Sequence, residues 1–588
     1  MIFVLLASMR NIRQNFTKSR YIIYIYRYRA TQRVAQISLD MKRIFLIFAF
    51  VATCSLYPSA AQTEDVEIPD LSSYILTPKP AKTPRINGAK VFGLRPGSKC
   101  LYNIAATGER PMTFSVENLP KGLKFDPEKG QITGVVKKEG TYHVKVTATN
   151  ALGSYTRELR IVVGDKLALT PPMGWNSWNC WSRDVTQEQV LSCARAMVSS
   201  GLVNHGWTYI NIDDGWQGLR GGKYNAVLTN GKFPDMAGLS REVHDMGLKL
   251  GIYSGPWVGT FSGHLGSYSD NPDGVSQWVR DGLYNENYRY QKPGGDYWKD
   301  RKENYRLGEY SFVNADVKQW EEWEIDYLKY DWNPNTRYHI KEMHDALRSL
   351  DRDIVYSLSN TAHLIDAPFL IQYAECWRTT GDIRDNWNSI SAIGFSQDRW
   401  IPFSRPGAWP DADMLVLGIV KFGKDKPRYT KLTADEQYTH MSLWALFASP
   451  LLIGCDMTRL DDFTISLLTN DEVIEVNQDP LGFHGVPVWR SEDGNQIIYV
   501  KHLEDGTLAV GMFNRGESEA VISIDPKMLG VYGSDRVVRD LWRQQDVGTL
   551  MMHDGAYRAT VAPHGVHLVK VYPGNSDDKY VGVVKFGE

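Results

Sequence analysis

Between Leu167 and Val476 the chain alternates short apolar runs with amphipathic helical patterns. This alternation restricts the fold more than any other feature. Strands separated by helices build parallel βα units rather than an antiparallel meander. The strand candidates are Met173–Trp178, Trp207–Asp213, Leu248–Tyr253, Ile325–Tyr330, Ile354–Ser357, Ala374–Arg378, a run near Asp413–Leu417, and Pro450–Cys455. Thr186-Gln-Glu-Gln189 has the capping-box spacing that opens a helix. Ala367–Tyr373, with Pro368 in its tolerant first turn, Thr433–Phe447 and Thr464–Val476 also read as helices. Such units over about 310 residues predict a central (β/α)8 TIM barrel with insertions, spanning 165–484.

The flanks have a different texture. Met112–Val116, Thr141–Thr147 and Arg157–Val163 alternate apolar and polar residues with period two. They predict an N-terminal β-sandwich over 83–164, and Leu119-Pro-Lys-Gly-Leu-Lys-Phe-Asp126, Gly130-Gln-Ile-Thr-Gly134 and Gly140-Thr-Tyr142 resemble the immunoglobulin-like modules appended to secreted enzymes. Asp493-Gly494 and Asp505-Gly506 are hairpin turns between alternating runs such as Ile497–His502 and Leu508–Phe513. They predict an antiparallel C-terminal β-sandwich over 485–588.

Met41-Lys-Arg43 followed by the apolar run Ile44–Ala52 predicts a signal peptide over 41–61, with cleavage before Gln62. Residues 1–40 then read as an upstream extension ahead of a start at Met41, and 62–82 as a linker. The apolar run is too short to span a bilayer. An exported protein, periplasmic or extracellular, is expected, with lipid anchoring at Cys54 as the lesser alternative. Cys100, Cys180, Cys193, Cys376 and Cys455 are too scattered for a disulfide framework. A net charge of −2 points away from nucleic acid. No metal-binding spacing occurs, so neither metal nor cofactor is expected; the oligomeric state is left open.

The candidate chemistry sits at strand ends. Tyr327-Leu-Lys-Tyr-Asp331 reads as a buried strand stopped by Asn333-Pro334. A carboxylate there must be paired or hydrogen-bonded. Lys329 and Asp331 point the same way on a strand, so the ammonium is expected to keep Asp331 ionised. That is the requirement for a carboxylate nucleophile. Trp178, Asp213-Asp214, Tyr253, Arg378 with Asp382, and Asp411 with Asp413 lie at the ends of other strands. In a parallel barrel these ends form one rim, where chemistry is carried.

Seven ordered strings carry a resemblance: Thr170-Pro-Pro-Met-Gly-Trp-Asn-Ser-Trp178, Ile212-Asp-Asp-Gly-Trp216, Leu248-Lys-Leu-Gly-Ile-Tyr253, Tyr327–Asp331, Trp377-Arg-Thr-Thr-Gly-Asp-Ile383, Trp409-Pro-Asp-Ala-Asp-Met414 and Val476-Asn-Gln-Asp-Pro480. Over about residues 167–574 the chain resembles glycoside hydrolase family 27, the α-galactosidases and α-N-acetylgalactosaminidases. The resemblance implies retaining hydrolysis of a terminal α-linked galactose-type sugar. It implies Asp331 as nucleophile and Asp382 as acid/base, and Lys329 and Arg378 as ligands of sugar hydroxyls. Asp213 and Asp214 would hold O4 and O6, with Trp178, Tyr253, Asp413 and Met414 lining the pocket. Retention needs two carboxyls about 5–5.5 Å apart, one ionised and one protonated. The charge on Asp331 is expected to raise the pKa of Asp382 and keep its proton available.

The chain departs from the family pattern twice. The fifth strand tip reads Ser357-Leu-Ser-Asn-Thr-Ala362 where many members carry Cys-Glu-Trp. In one register Ser359 and Ala362 admit a 2-acetamido group; in another Asn360 meets the 2-hydroxyl. The strings Trp377–Asp382 and Leu451–Cys455 favour galactose, with α-N-acetylgalactosaminidase as the alternative. A catalytically inactive carbohydrate-binding protein is the competitor from another class, opposed by the presence of both Asp331 and Asp382. The second departure is an insertion between Ser267 and Tyr310, rich in aromatics such as Tyr268, Trp278, Tyr284 and Trp298. It is expected either to line leaving-group subsites or to pack against a neighbouring domain or subunit.

Overall fold

The computed structural model describes residues 66–275, 306–333, 335–532, 535–551 and 555–573, all within one compact unit. The upstream stretch, the signal segment with Cys54, the start of the linker and the 276–305 part of the aromatic insertion lie outside the described residues.

Eight parallel strands build the centre: β1 Met173–Asn176, β2 Tyr209–Asn211, β3 Lys249–Ser254, β4 Tyr327–Asp331, β5 Val355–Ser359, β6 Cys376–Arg378, β7 Trp409–Asp411 and β8 Leu451–Ile453. They pair in sequence order from β1 to β7, and β8 pairs back onto β1. Leu415, just past β7, bridges to Ile453 of β8 and closes the barrel. The seventh strand therefore lies earlier than the Asp413–Leu417 run predicts. Trp409–Asp411 takes the ladder, and Asp413, at a φ of 85°, turns the chain over the rim instead. Trp178 likewise starts a short helix beyond β1 rather than ending the strand.

Local signals set the helix starts. The Thr186 side chain accepts from the Gln189 amide and the Gln189 side chain returns the bond, as the spacing predicts. Thr433 and Glu436 form the same box at the start of helix Ala434–Leu446. That helix is buried almost all round because the barrel covers one face and the C-terminal sandwich the other. Its polar residues are satisfied across this seam: Ser442 Oγ accepts from Trp542 Nε1 at 2.9 Å, and Thr439 Oγ1 donates to the His564 carbonyl at 2.6 Å. Lys501, buried in the sandwich, donates to the Ala445 and Val476 carbonyls at 3.3 and 2.5 Å. It thereby closes the C-terminal ends of two barrel helices.

The N-terminal sandwich packs a four-stranded sheet against a three-stranded one, with Ile132, Val144, Val146, Leu159 and Ile161 at its centre. It meets the base of the barrel, away from the rim. Arg95 makes the joint: Nε donates to Asp353 at 2.7 Å, and the other nitrogens donate to the carbonyls of Arg348, Leu350 and Arg352. The described part of the predicted linker is a docked strap rather than a free tether. Leu71, Ile75 and Leu76 pack on the barrel core. Tyr438 bonds both the Tyr74 carbonyl and the Leu76 amide. Apolar residues inside a polar, proline-bearing stretch hold it down. Among the described residues the five cysteines are free and buried, and no helix is long and apolar enough to cross a membrane.

The Arg95 joint predicts the consequence of its loss. Arg95→Ala removes the guanidinium from the half-buried Asp353 carboxylate and leaves the carbonyls of Arg348, Leu350 and Arg352, at and just beyond a helix end, without their donor. It should lower stability by about 2 kcal/mol. Denaturant unfolding should show it, with faster proteolysis between 164 and 167; an unchanged unfolding midpoint would mean that Arg95 does not hold the sandwich in place.

Candidate active site

The rim of the barrel holds a cavity of about 680 Å³. Trp178, Asp213, Asp214, Tyr253, Lys329, Asp331, Asn360, Arg378, Asp382, Asp413 and Met414 all line it. Ser359 does not. It ends β5, is buried, and places its side chain against Asp331. A second cavity, about 290 Å³, lies at the opposite end of the barrel, between the strand starts at Tyr209 and Lys249 and the N-terminal sandwich.

At the deep end, β1 and β2 fix the first acid. Asp213 Oδ2 accepts from Asn176 Nδ2 at 2.9 Å and from Lys329 Nζ at 2.8 Å. Its Oδ1 accepts the Asp214 amide at 2.9 Å, and its own amide donates to Ser177 Oγ. Lys329 therefore makes its direct ion pair with Asp213, not with Asp331 as the strand register alone predicts. Asp213 and Lys329 project from different strands toward the same barrel centre, so a through-space partner displaces the neighbour two residues on. Asp214 is the open group of the pair. Its Oδ2 accepts the Ser262 amide at 2.6 Å, whereas Oδ1 is buried without a hydrogen-bond partner. Burial pushes this carboxyl up to about 7, only partly offset by the Ser262 amide and the Thr260 side chain.

Asp331 ends β4. Gly255 lets the chain after β3 pass close by, because a Cβ there would lie 2.5 Å from the Asp331 carbonyl. Asn360 reaches across from the β5 tip and donates Nδ2 to Asp331 Oδ1 at 2.7 Å. It can do so because Asn360 and Thr361 adopt left-handed φ values of 61° and 35°, which turn the chain sharply at the rim. Burial raises the Asp331 carboxyl above its ordinary value. Lys329 is the strongest opposing influence, while Asp213 and Asp382 add to the rise.

Asp382 sits at the mouth, its side chain 63% exposed. Arg378, from β6, lies between it and the rim: Nη2 is 2.6 Å from Asp413 and 3.5 Å from Asp382. The expectation that Asp382 is raised is overturned. Partial desolvation does push Asp382 up, but Arg378, then Lys329 and Arg384, outweigh it and hold the carboxyl below its ordinary value. Three nearby cations prevail over one carboxylate. The proton thus favours Asp331, raised by burial, over Asp382, held down by its cations.

The sequence strings do not single out Trp257, Thr260 and Phe261 in the loop after β3, or Arg384, Phe422, Arg428 and Lys431 near the mouth. Phe261 meets Trp178 edge to face at 5.6 Å. A signal was present for the first group, since Gly255-Pro-Trp-Val-Gly-Thr-Phe261 follows a barrel strand on its functional side. A buried acid pair, a second carboxylate at the mouth and an unsatisfied acceptor on the floor suit a ligand that brings hydroxyls and a cleavable bond.

Comparison with known proteins agrees with this geometry. The family model described as Alpha galactosidase A matches residues 170–292 and 295–479, the Alpha galactosidase C-terminal beta sandwich domain matches 493–571, and an Ig-domain model matches 84–164. Alpha-galactosidase 2 of Arabidopsis thaliana is 35% identical over 70% of this chain and 91% of its own length. A Bacteroides fragilis structure provisionally assigned as an alpha-galactosidase/melibiase covers 84% of this chain and 98% of its own, at 32% identity and a TM-score of 0.70. A family 27 β-L-arabinopyranosidase from Geobacillus stearothermophilus covers 70% of this chain and 98% of its own, at 28% identity and a TM-score of 0.58. From its barrel motifs through its C-terminal sandwich, the chain belongs to the alpha-galactosidase family, glycoside hydrolase family 27.

Proposed function

We propose that the protein is an exo-acting retaining α-galactosidase that removes terminal α-linked galactose from oligo- or polysaccharides. The observation that carries the reading is the pair Asp331 and Asp382 in one cavity, the first fixed by Asn360 and the second exposed at the mouth beside Arg378. In this reading Asp331 attacks the anomeric carbon and forms a covalent glycosyl-enzyme, while Asp382 protonates the departing oxygen. A sugar seated over Asp331 also covers Asp382 and places hydroxyls beside Arg378. Both effects return a proton to Asp382. After glycosylation Asp331 carries no charge, and Asp382, still beside Arg378, serves as base toward water. The basic Met41-Lys-Arg43 and its apolar run support action outside the cytoplasm.

The floor supports a sugar that keeps its exocyclic CH₂OH. Asp214 Oδ1 has no partner, and a galactose hydroxyl satisfies it. The β5 tip supports galactose over N-acetylgalactosamine. Asn360, rather than Ser359, lines the pocket, and with Nδ2 held by Asp331 its carbonyl is left to accept the 2-hydroxyl. The Asn360 side chain also fills the space that the acetyl group of an N-acetyl sugar would need, so the discrimination is steric.

Asp331→Ala should lower kcat by about 10⁴-fold or more with the fold retained. Asp382→Ala should cost about 10²–10⁴-fold on poor leaving groups and much less on nitrophenyl galactoside. Near-normal turnover by Asp331→Ala, or equal losses of Asp382→Ala on both substrate types, would defeat the assignments.

Asn360→Ala should reduce kcat/KM on nitrophenyl α-galactoside by about 10- to 100-fold, as loss of a hydrogen bond to a charged group does. It should also narrow the preference over nitrophenyl α-N-acetylgalactosaminide. A wild type that prefers the N-acetyl sugar would reverse the specificity reading.

Asp214 yields a pH prediction. Its carboxyl is raised from 3.8 to about 7 in the folded chain. The unfolded state then binds fewer protons than the folded state between those values, so this group costs stability increasingly as pH rises from about 4 to about 7. Asp214→Asn should therefore raise the thermal midpoint at pH 8 more than at pH 5, while weakening galactose binding. An equal gain at both pH values would show that the carboxylate is not strained by burial.

A further inference from the structure

The pocket is not uniform in charge. Its floor is acidic, with Asp213, Asp214 and Asp331 around Lys329. Its mouth is basic. The loop after the short strand Ile419–Val420 reads Lys421-Phe-Gly-Lys-Asp-Lys-Pro-Arg428, of which Phe422, Asp425 and Arg428 line the pocket while Lys421 lies 3.9 Å from Asp184. Phe422 carries a guanidinium on each of two approaches, Arg384 at 5.1 Å and Arg428 at 6.0 Å from the ring centroid. Asp385 engages Arg428 through two hydrogen bonds and also accepts the Lys431 amide, so its charge is already used. Arg384 and Lys431 are exposed, line the pocket, and have no carboxylate partner among the described residues. Asp425 is the remaining acid on this wall.

The position of this wall defines what it meets. Arg384 lies two residues beyond Asp382, whose exposed carboxyl faces the glycosidic oxygen in the proposed mechanism. The galactose occupies the buried floor, so the residue beyond the scissile bond leaves past Arg384, Phe422 and Lys431. Placing unpaired cations along this route has no use for a neutral leaving group. A guanidinium over an aromatic ring keeps N–H groups available for an oxyanion.

We propose that the leaving-group side of the pocket takes an anionic saccharide, one that carries a carboxylate or a sulfate on the residue next to the galactose. This rests on the α-galactosidase reading and names its substrate class. It also bears on the chemistry. An anion paired with Arg384 removes one of the cations that hold Asp382 ionised, so the correct substrate helps to load the acid with its proton.

The test compares α-(1→3)-linked galactosyl disaccharides whose leaving residue is galactose, galacturonate or galactose 6-sulfate, with nitrophenyl α-galactoside as reference. At low ionic strength kcat/KM should be about fivefold higher for at least one anionic disaccharide than for the neutral one. The advantage should fade toward parity in molar salt. The carboxylate and sulfate arms separate the two sources of charge. The double variant Arg384→Gln/Lys431→Gln should bring the anionic-to-neutral ratio close to one, and both side chains are exposed enough that the fold tolerates it. Equal or slower cleavage of both anionic disaccharides by the wild type, or a ratio unchanged in the double variant, overturns the proposal. If nitrophenyl α-galactoside is cleaved in that case, the α-galactosidase reading stands without it; if no galactoside is cleaved, both fall.

Discussion

The burial of carboxylates at the strand tips is the constraint on which the site depends. Asp213, Asp214, Asp331, Asp411 and Asp413 converge on one rim with little water to solvate them. Each would cost several kcal/mol if left charged and unpaired. Two cations make the arrangement possible: Lys329 binds Asp213, and Arg378 binds Asp413. Even so the neutralisation is incomplete. Burial leaves Asp214 near 7 and Asp411 near 6, so part of the rim shares protons at neutral pH. An active site that keeps unsatisfied carboxylates in place gives up stability for affinity toward hydroxyl groups.

The same electrostatics explains why Asp331 and Asp382 differ. Asp331 is sealed at the end of a barrel strand, with Asn360 fixing one oxygen. Asp382 stands on a loop, close to Arg378 and Arg384, and is held ionised until something covers it. The difference arises from the fold, since both are ordinary aspartates. A buried strand tip and an exposed loop are the two environments that a barrel rim offers.

Among the described residues the flanking domains reach the site through the barrel. Arg95 fastens the N-terminal sandwich to the barrel base, and Lys501 with Trp542 fastens the C-terminal sandwich to helix Ala434–Leu446. That helix supplies Trp444, whose indole donates to the Asp413 carbonyl and so supports the turn that carries Asp413 and Met414. The strap over 71–77 is joined to the same helix through Tyr438.

Much of this was legible in the linear chain. Alternating strand and helix patterns dictate a parallel barrel because each strand must return the same way round, and the period-two runs at either end dictate sandwiches. The strand-end residues converge because parallel strands bring their C-terminal ends to one face. What the chain could not state is who pairs with whom across that face. Lys329 and Asp331 share a strand face, yet Asp213 from another strand lies nearer the ammonium. Ser359 and Asn360 are adjacent, yet a left-handed turn sends only the second into the pocket. The protonation of Asp382 and the cations gathered near it depend on distances between loops far apart in sequence. Periodicity and spacing determine the architecture because backbone geometry is local. Charge pairing and protonation were decided by the tertiary structure, because Coulomb energy depends on separation in space and on how much water remains.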